Sequence, residues 1–254
     1  RPLSALRAVE ICCGGGAAAL ALRAAGVGVV DASDLNPHAV EACQANARAN
    51  GLTLGECGVR NCLGDTPFRL DNYDLIVCNP PCRPAWAAAS REQVLEDDWL
   101  EIAVNGGERG DHFTLSVIDA AMRALSAKGA FVLIVTSTQD FMAIFDRLNA
   151  LGRQWWVGMA SPVAQPYVPL ASQIAGELTR LHDERKIIAW DGGDGWFWRL
   201  SWAIVVENSE VALREPSTLR GNPAFRNFGY EVHARSFQKA ARHFEIVFGS
   251  KPDD

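Results

Sequence analysis

The chain has 254 residues, 48% of them hydrophobic, and a formal net charge of -6 at pH 7. A chain of this length and composition can bury a sizeable core as one large domain, with or without an appendage. Its acidic balance argues against a protein whose whole surface binds nucleic acid, although a local basic patch is compatible with it. The sequence shows no signal peptide and no apolar stretch of roughly 18 residues, so we expect a soluble, cytoplasmic protein without a membrane partner.

The seven cysteines all lie between Cys12 and Cys82, several of them inside apolar runs. Cysteines in such surroundings are usually reduced and buried, so we expect most of them to be inert thiols. An alternative is a zinc site that uses four of them, Cys57, Cys62, Cys78 and Cys82. No Cys-x2-Cys pair occurs and the five histidines are scattered, so we predict no metal site.

The start of the chain has the order of a nucleotide-binding βαβ unit. It begins at Arg1 and enters a strand almost at once, so we expect a further segment to precede it. The pattern predicts a strand over 6–13, a glycine loop over 14–16, a helix over 17–25, a strand over 28–33 and a helix over 37–50. Glycines let the backbone turn tightly and approach a ligand, and the start of the following helix offers N–H groups.

An acidic residue follows the second predicted strand. Asp34 lies 18 residues beyond Gly16, close to the roughly 20 residues expected for a carboxylate that accepts hydrogen bonds from ribose hydroxyls. The alternative is a negative charge placed at a helix N-terminus, where Asn36 before Pro37 can equally serve as the cap.

The stretch from Tyr73 to Cys82 combines an apolar run with an abrupt polar ending. Its run Leu75 to Cys78 predicts a strand buried on both faces of a parallel sheet. Pro80 and Pro81 stop the sheet ladder and fix the loop beyond the strand's carboxyl end, the edge where open α/β sheets bind ligands. Asn79 offers one acceptor oxygen and two donor hydrogens, which suit a planar NH2 group. The alternative is that Asn-Pro-Pro is only a strand-ending turn.

The middle of the chain continues the alternation of strands and helices. A third strand over 58–63 leads to Asp65, which can accept a hydrogen bond from an adenine amino group at the same edge of the sheet. The pattern then predicts a helix over 87–104, a loop over 105–110, an amphipathic helix over 111–125, a strand over 130–135 and a helix over 139–151 capped by Thr138.

The last third predicts two more strands, 154–160 and 197–207, with an inserted segment over 161–195 between them. The insertion is expected to contain a helix over 171–185 and a short strand over 186–190. We therefore divide the chain into a domain over 1–208 and an extension over 209–254. The extension is basic and aromatic, with six Arg or Lys against two Glu over 214–242. Such residues can hold phosphates and stacked bases, but we favour a solvated extension that packs its aromatic side chains on the domain.

Taken together, five motifs resemble those of class I S-adenosylmethionine-dependent methyltransferases. They are Glu10-Ile-Cys-Cys-Gly-Gly-Gly, Asp34-Leu-Asn-Pro-His-Ala-Val, Gly64-Asp65, Tyr73-Asp-Leu-Ile-Val-Cys-Asn-Pro-Pro and Gly106-Gly-Glu-Arg-Gly-Asp. The likeness covers residues 8–151 and is greatest to the HemK-like, small-domain group. It implies a doubly wound, mostly parallel, seven-stranded Rossmann-like α/β sheet with helices on both faces, and S-adenosylmethionine across the strand ends.

The resemblance also implies the roles of individual residues. The amino acid part of the cofactor would contact Glu10 and the loop of Cys12, Gly14 and Gly16. The ribose would contact Asp34 and Leu35, and the adenine would contact Asp65. The nitrogen to be methylated would be held by Asn79, Pro80 and Pro81, with Asn79 also beside the cofactor.

Two positions depart from the family pattern. Cys12 stands where the family has the first glycine of its loop. Cys82 stands where an aromatic ring normally follows Asn-Pro-Pro and stacks on the planar substrate. Loss of that ring removes about 1 to 3 kcal/mol of stacking unless Trp86, or a Trp or Tyr from the 155–198 segment, replaces it. We therefore expect Cys82 and Trp86 to contact a substrate of different shape.

These observations predict a methyltransferase that acts on a planar or primary nitrogen of a small metabolite or a protein amide. An adenine-type RNA or DNA methyltransferase is an alternative, since the extension is basic but the chain as a whole is acidic. A non-catalytic cofactor-binding partner protein is another, suggested by Cys12 and Cys82. A dinucleotide dehydrogenase does not explain Asn-Pro-Pro. The sequence does not indicate an oligomeric state.

Overall fold

The computed structural model describes residues 1–61, 73–85, 103, 105–166, 180–181, 184, 187, 189–193 and 196–208. After a short 3-10 turn at Leu3–Ala5, the strands are β1 (Arg7–Ile11), β2 (Val29–Asp34), β3 (Cys57–Val59), β4 (Tyr73–Cys78), β5 (Leu125–Thr136), β6 (Gln154–Pro166), β7 (Ala189–Gly193) and β8 (Trp196–Glu207). The helices are α1 (Ala17–Ala24), α2 (Pro37–Ala49), α3 (His112–Ala124) and α4 (Phe141–Ala150). No helix among the described residues is both long and apolar enough to cross a membrane.

The strands form one mixed sheet in the order β3-β2-β1-β4-β5-β8-β6, and β7 adds an eighth strand beside β8. The pairings from β3 to β5 are all parallel. The three pairings of β8, with β5, β6 and β7, are antiparallel. The prediction of a mostly parallel sheet is therefore only partly right, because the chain returns from β6 through β7 into a strand that runs in the opposite direction.

The order of the strands creates a switch point between β1 and β4. Strands β2 and β3 lie on the side of β1 that faces away from β4, and β5 lies on the side of β4 that faces away from β1. The connections that follow the two strands at such a point run to opposite faces of the sheet, and this leaves a crevice outside the carboxyl ends in which ligands bind. The ends of β1 and β4, at Ile11 and Cys78, are direct register partners in the sheet.

Both faces of the sheet are covered by helices. Val9 and Ile11 of β1 belong to one core cluster, which includes buried residues of α3 and α4. Ala8 of the same strand belongs to a second cluster with Ala19 of α1 and Cys43 of α2. Because successive residues of a strand point to opposite faces, α1 and α2 lie on one face of the sheet and α3 and α4 on the other.

Two predicted boundaries change for physical reasons. Asp140, not Thr138, caps α4, because the Asp140 carboxylate accepts a hydrogen bond from the backbone N–H of Ala143. Thr138 is instead buried, with its hydroxyl 3.2 Å from that of Thr136. Strand β6 does not end at residue 160 but continues to Pro166, since its antiparallel pairing with β8 continues to the pair Pro166 and Trp196.

Several predictions lie outside the described residues. They are the helix over 87–104 apart from residue 103, most of the helix over 171–185, of which only 180–181 and 184 are described, and the extension over 209–254. The short strand predicted within the insertion appears as β7, three residues later than expected. None of the six described cysteines forms a disulfide, and no cluster of three metal-binding side chains occurs in the described part of the chain. Burial raises the pKa of the Cys57 thiol to about 12, as expected for an inert thiol.

A polar network ties together three strands at the amino-terminal side of the sheet. The buried carboxylate of Asp31 accepts hydrogen bonds from Arg7 (Nη2, 2.6 Å), the Tyr73 hydroxyl (2.8 Å) and the Glu56 backbone N–H (2.7 Å). Burial, together with the hydrogen bond to Asp31, raises the pKa of Tyr73 to about 12. The hydrogen bond from Arg7 to Asp31 likewise raises the pKa of Arg7.

We expect this network to make folding stability fall at alkaline pH. The pKa of an unfolded tyrosine is about 10, so Tyr73 stabilises the fold below that pH. The contribution is lost as pH rises through the folded value of about 12. Between pH 10 and 12 the free energy of unfolding of the wild type should fall by about 2 kcal/mol more than that of Tyr73→Phe, measured by urea titration. Parallel curves for the two proteins would show that Tyr73 does not titrate in this way.

Candidate functional site

Two adjoining clefts open at the carboxyl ends of the central strands. The first cleft, of about 320 Å³, lies over β1 and β2, and residues from both strand ends line it. The second cleft, of about 350 Å³, lies over β4, β5 and β8. Asn79, Pro81 and Ala103 line both clefts and therefore form the boundary between them.

Glu10 forms part of the wall of the first cleft and is held by the start of α1. Its two carboxylate oxygens accept hydrogen bonds from the backbone N–H groups of Ala18 (3.3 Å) and Ala19 (2.7 Å). Burial raises the pKa of Glu10, and these two hydrogen bonds oppose that rise. The sequence predicts that N–H groups at the start of this helix are available to a ligand. Two of them, those of Ala18 and Ala19, instead donate to Glu10.

Asp34 ends β2 and joins two loops of the first cleft. Its carboxylate accepts hydrogen bonds from the backbone N–H of Gly14 (2.8 Å) and of Asn36 (2.9 Å). A carboxylate has about four acceptor positions, so each Asp34 oxygen can accept one more hydrogen bond from a ligand. The helix cap is Asn36, whose side chain accepts from the backbone N–H of His38. Asp34 is therefore not needed as the cap.

The loop after β1 departs from ordinary backbone conformation at Cys12. Its φ of 56° makes Cys12 the one non-glycine residue with positive φ in the described part of the chain. This left-handed conformation favours glycine, which explains why the family pattern has glycine at this position. Cys12 nevertheless adopts the same turn and lines the first cleft together with Gly14.

The other predicted residues divide between the clefts, the core and the undescribed part of the chain. Leu35 lines the first cleft. Gly16 is not among the described lining residues; it packs against α2, where an added Cβ would come within 2.4 Å of the Cys43 Sγ. Asp65 and Trp86 lie outside the described residues.

The Asn-Pro-Pro segment stands at the boundary of the two clefts. Asn79 is exposed while Pro80 is buried beneath it. Pro80 and Cys82 line the second cleft, and Pro81 lines both. The structure thus brings Asn79, Pro80, Pro81 and Cys82 to one edge of the sheet, in contact with the same cavity.

A second loop, residues 105–111, holds this segment in place. The Gly106 N–H donates to the Arg83 carbonyl (2.8 Å), and the Ala85 N–H donates to the Gly107 carbonyl (3.0 Å). The approach leaves no room for side chains, because a Cβ on Gly106 would lie 2.8 Å from the carbonyl carbon of Cys82. The glycines of this motif therefore position the backbone of the Asn-Pro-Pro loop.

The far wall of the second cleft comes from residues that sequence reasoning did not select. Phe197, Arg199 and Ser201 alternate along β8 and all line the cleft. Thr136 pairs with Ser201 in register, and Thr136 and Thr138 complete this wall. The sequence feature that could have identified the three residues of β8 is their spacing, since residues two apart share a face of a strand.

Comparison with known proteins shows what this arrangement is similar to. Residues 3–96 match the family model of the methyltransferase small domain. The matched part of the chain includes β1 to β4 and most of the residues that line the first cleft. No protein with a curated function matches it in sequence.

Solved structures are similar to this chain in fold. A protein of Bacillus halodurans C-125, proposed to be a methyltransferase, superposes with a TM-score of 0.50 at 15% identity, over 80% of this chain and 93% of that one. The YcgJ protein of Bacillus subtilis has a TM-score of 0.49 at 17% identity, over 81% of this chain and 93% of that one. The E. cuniculi Mtq2–Trm112 complex, responsible for methylation of the eRF1 translation termination factor, has a TM-score of 0.48 at 17% identity, over 80% of this chain and 84% of that one. The Bacillus halodurans protein, at 15% identity, shows a common fold only.

The two clefts are adjacent compartments of similar volume, and they share a boundary beside Asn79. Such a pair of compartments can hold two molecules side by side, with the reacting atoms of one next to those of the other.

Proposed function

We propose that this protein is an S-adenosylmethionine-dependent methyltransferase, that it transfers a methyl group to a planar or primary nitrogen of a small metabolite or a protein amide, and that Asn79 holds that nitrogen. The position of Asn79 carries the proposal, since it is an exposed amide that lines both clefts at once. Its oxygen can accept from one N–H of the acceptor, and the carbonyl of buried Pro80 can accept from the other. The resemblance of the Asn-Pro-Pro segment to the HemK-like group supports the same role.

The residues of the first cleft fit the cofactor. Asp34 has acceptor capacity left for two ribose hydroxyls, Glu10 is a buried acidic group suited to an ammonium, and Leu35 offers an apolar surface. When bound there, S-adenosylmethionine supplies an activated methyl group on a sulfonium sulfur. The protein's part is to orient the acceptor and to keep the site dry.

Asn79 would act on the nitrogen lone pair. In an amide or arylamine this lone pair is delocalised into the planar group. Hydrogen bonds from both N–H groups to fixed acceptors hold the plane so that the lone pair points at the methyl carbon in the neighbouring cleft. No strong general base is needed, because the nitrogen can lose its proton to water after the transfer.

Transfer of a labelled methyl group tests this proposal. The enzyme is incubated with S-adenosylmethionine carrying a 13C methyl group and with separate pools of primary amides, arylamines, alcohols and thiols. Carbon NMR then distinguishes methyl groups on nitrogen, oxygen and sulfur. We expect label on nitrogen in the amide or arylamine pool. Label only on oxygen, sulfur or carbon, or no transfer from bound cofactor, would contradict the proposal.

The basic, aromatic composition of residues 214–242 favours one other acceptor, the amino group of adenine in RNA or DNA. Such an acceptor requires contacts with several phosphates. Its binding would therefore weaken steeply with salt, whereas binding of a small amide would not. A gel-shift titration with RNA and DNA oligonucleotides between 50 and 200 mM salt, roughly the range over which such contacts are lost, separates the two.

The Gly106→Ala variant tests whether the 105–111 loop positions the acceptor. The added Cβ would lie 2.6 Å from the Gly110 carbonyl oxygen and 2.8 Å from the Cys82 carbonyl carbon, so the backbone carrying Asn79 must move. We expect turnover with an acceptor from the pool to fall about 10-fold. Affinity for S-adenosylhomocysteine should be unchanged.

Gly58→Ala is the matched control, because a Cβ there meets nothing within 4 Å. It should leave turnover unchanged. A Gly106→Ala enzyme with normal turnover would show that the loop does not set the position of the Asn-Pro-Pro segment.

A further inference from the structure

The charges of the second cleft differ from those of the chain as a whole. The chain has a net charge of -6, yet Arg83 and Arg199 are the only charged side chains among the described residues that line this cleft. The described lining includes no Asp or Glu. The charged side chains of the described lining are therefore all guanidinium groups, which can bind an anionic ligand.

Arg199 is held rigidly in the wall of the cleft. It lies in β8 between two partner strands, paired with Val163 of β6 and with Ala189 of β7. Burial lowers the pKa of Arg199, because removing the guanidinium from water disfavours its charge. An anionic ligand beside the guanidinium favours its charged form.

Hydroxyl groups surround the same space. Ser201 lies two residues from Arg199 on the same face of β8, and Thr136 and Thr138 line the cleft beside it. Hydroxyls donate hydrogen bonds to carboxylate and phosphate oxygens, and the guanidinium fork of arginine matches both groups. The buried ring of Phe197 adds an apolar wall.

Arg83 approaches from the opposite side, directly after Cys82. Its backbone is bridged to Asn105, and its carbonyl accepts from Gly106. The two arginines therefore belong to separate parts of the structure, and both line this cleft. Its volume of about 350 Å³ is at the lower end of small-molecule sites.

We propose that the methyl acceptor is a small molecule that carries a carboxylate or phosphate group, and that Arg199 and Arg83 bind this group in the second cleft. The proposal rests on the proposed function, because it assigns the second cleft to the acceptor. The nitrogen would lie at Asn79, at the boundary of the clefts, and the anionic group would lie against the β8 wall. This arrangement selects an acceptor by its charge and aligns its nitrogen with the methyl group.

Binding of simple anions tests the proposal without knowledge of the acceptor. The protein is saturated with S-adenosylhomocysteine, so that the first cleft is filled, and titrated with inorganic phosphate or acetate at constant ionic strength. We expect saturable binding by the wild type that weakens about 10-fold in Arg199→Gln and in Arg83→Gln. A preference for phosphate or for acetate indicates which group the acceptor carries.

Two further variants make the result specific. Arg199→Lys keeps the charge and should retain most of the binding, which separates loss of charge from misfolding. Arg48→Gln, at an exposed site on α2, should bind both anions like the wild type. Absence of saturable anion binding by the wild type, or binding by Arg199→Gln and Arg83→Gln that is as tight as that of the wild type, would overturn the proposal. Failure of the proposed function is seen separately, as the absence of label on nitrogen in the 13C assay.

Discussion

Replacing Asn79 by Ala should reduce methyl transfer by about 100- to 1000-fold while leaving the affinity for S-adenosylhomocysteine within a factor of about 3 of the wild-type value. Turnover should fall while cofactor affinity is kept because of where Asn79 lies. Asn79 lines both clefts, but its polar atoms are the ones that we assign to the acceptor nitrogen. Without them the acceptor NH2 group rotates freely, and a badly oriented lone pair loses most of the benefit of being held beside the methyl group.

The measurement is turnover, by release of S-adenosylhomocysteine, together with cofactor affinity by calorimetry. Asn50→Ala is the matched control, since it removes the same amide at the exposed C-cap of α2. Asn79→Asp is a second variant that keeps the shape and one acceptor oxygen but loses the NH2 donor. If Asn79→Ala retained wild-type turnover, the placement of the acceptor nitrogen at this residue would be wrong.

The first half of the sheet could be predicted because its signals are local. The apolar run, the glycines and the alanine-rich segment follow one another within about 20 residues, and together they predict a strand, a loop and a helix. The structure has β1, the loop and α1 close to the predicted boundaries. The positions of Asp34 and Asn79 follow in the same way, because each comes directly after a buried strand. Residues that end parallel strands meet at one edge whatever the rest of the chain does.

The second cleft could not be predicted because antiparallel pairing sets its far wall. Arg199 reaches the cleft only because β8 returns beside β5 in a register that pairs Thr136 with Ser201. A shift of one residue would turn Arg199 to the other face of the sheet. The apolar residues of β8, such as Leu200 and Trp202, are buried, and they dominate its sequence and conceal the polar alternation between them.

The cap of α4 shows the same limit on a smaller scale. Thr138 and Asp140 are both good cap residues, and the sequence does not decide between them. Tertiary contacts decide: the buried Gln139 side chain donates to the Gly110 carbonyl and accepts from the Thr136 N–H. This holds residues 136–139 as a turn, so the helix starts only after Asp140.

Replacing Asp34 by Ala should have the opposite effect to the Asn79 variant and raise the dissociation constant for S-adenosylhomocysteine about 100-fold. Hydrogen bonds to a charged acceptor contribute about 1.5 to 3 kcal/mol each, and the proposed ribose contacts use both Asp34 oxygens. The variant also frees the Gly14 N–H, which Asp34 holds at 2.8 Å, and so loosens the glycine loop. Asp34→Asn keeps one acceptor oxygen and should lose only about 10-fold.

The comparison of these two Asp34 variants separates ribose binding from loop support. If Asp34 only supported the loop, Asp34→Asn would retain cofactor affinity, because its amide oxygen can still accept from Gly14. A graded loss, larger for Ala than for Asn, with thermal stability that changes little, supports direct contact with the ribose. Calorimetric titration with adenosine as well as S-adenosylhomocysteine sharpens the test, since both ligands should weaken by the same factor if the lost contacts are those to the ribose. An unchanged dissociation constant in Asp34→Ala would exclude the ribose from this part of the cleft.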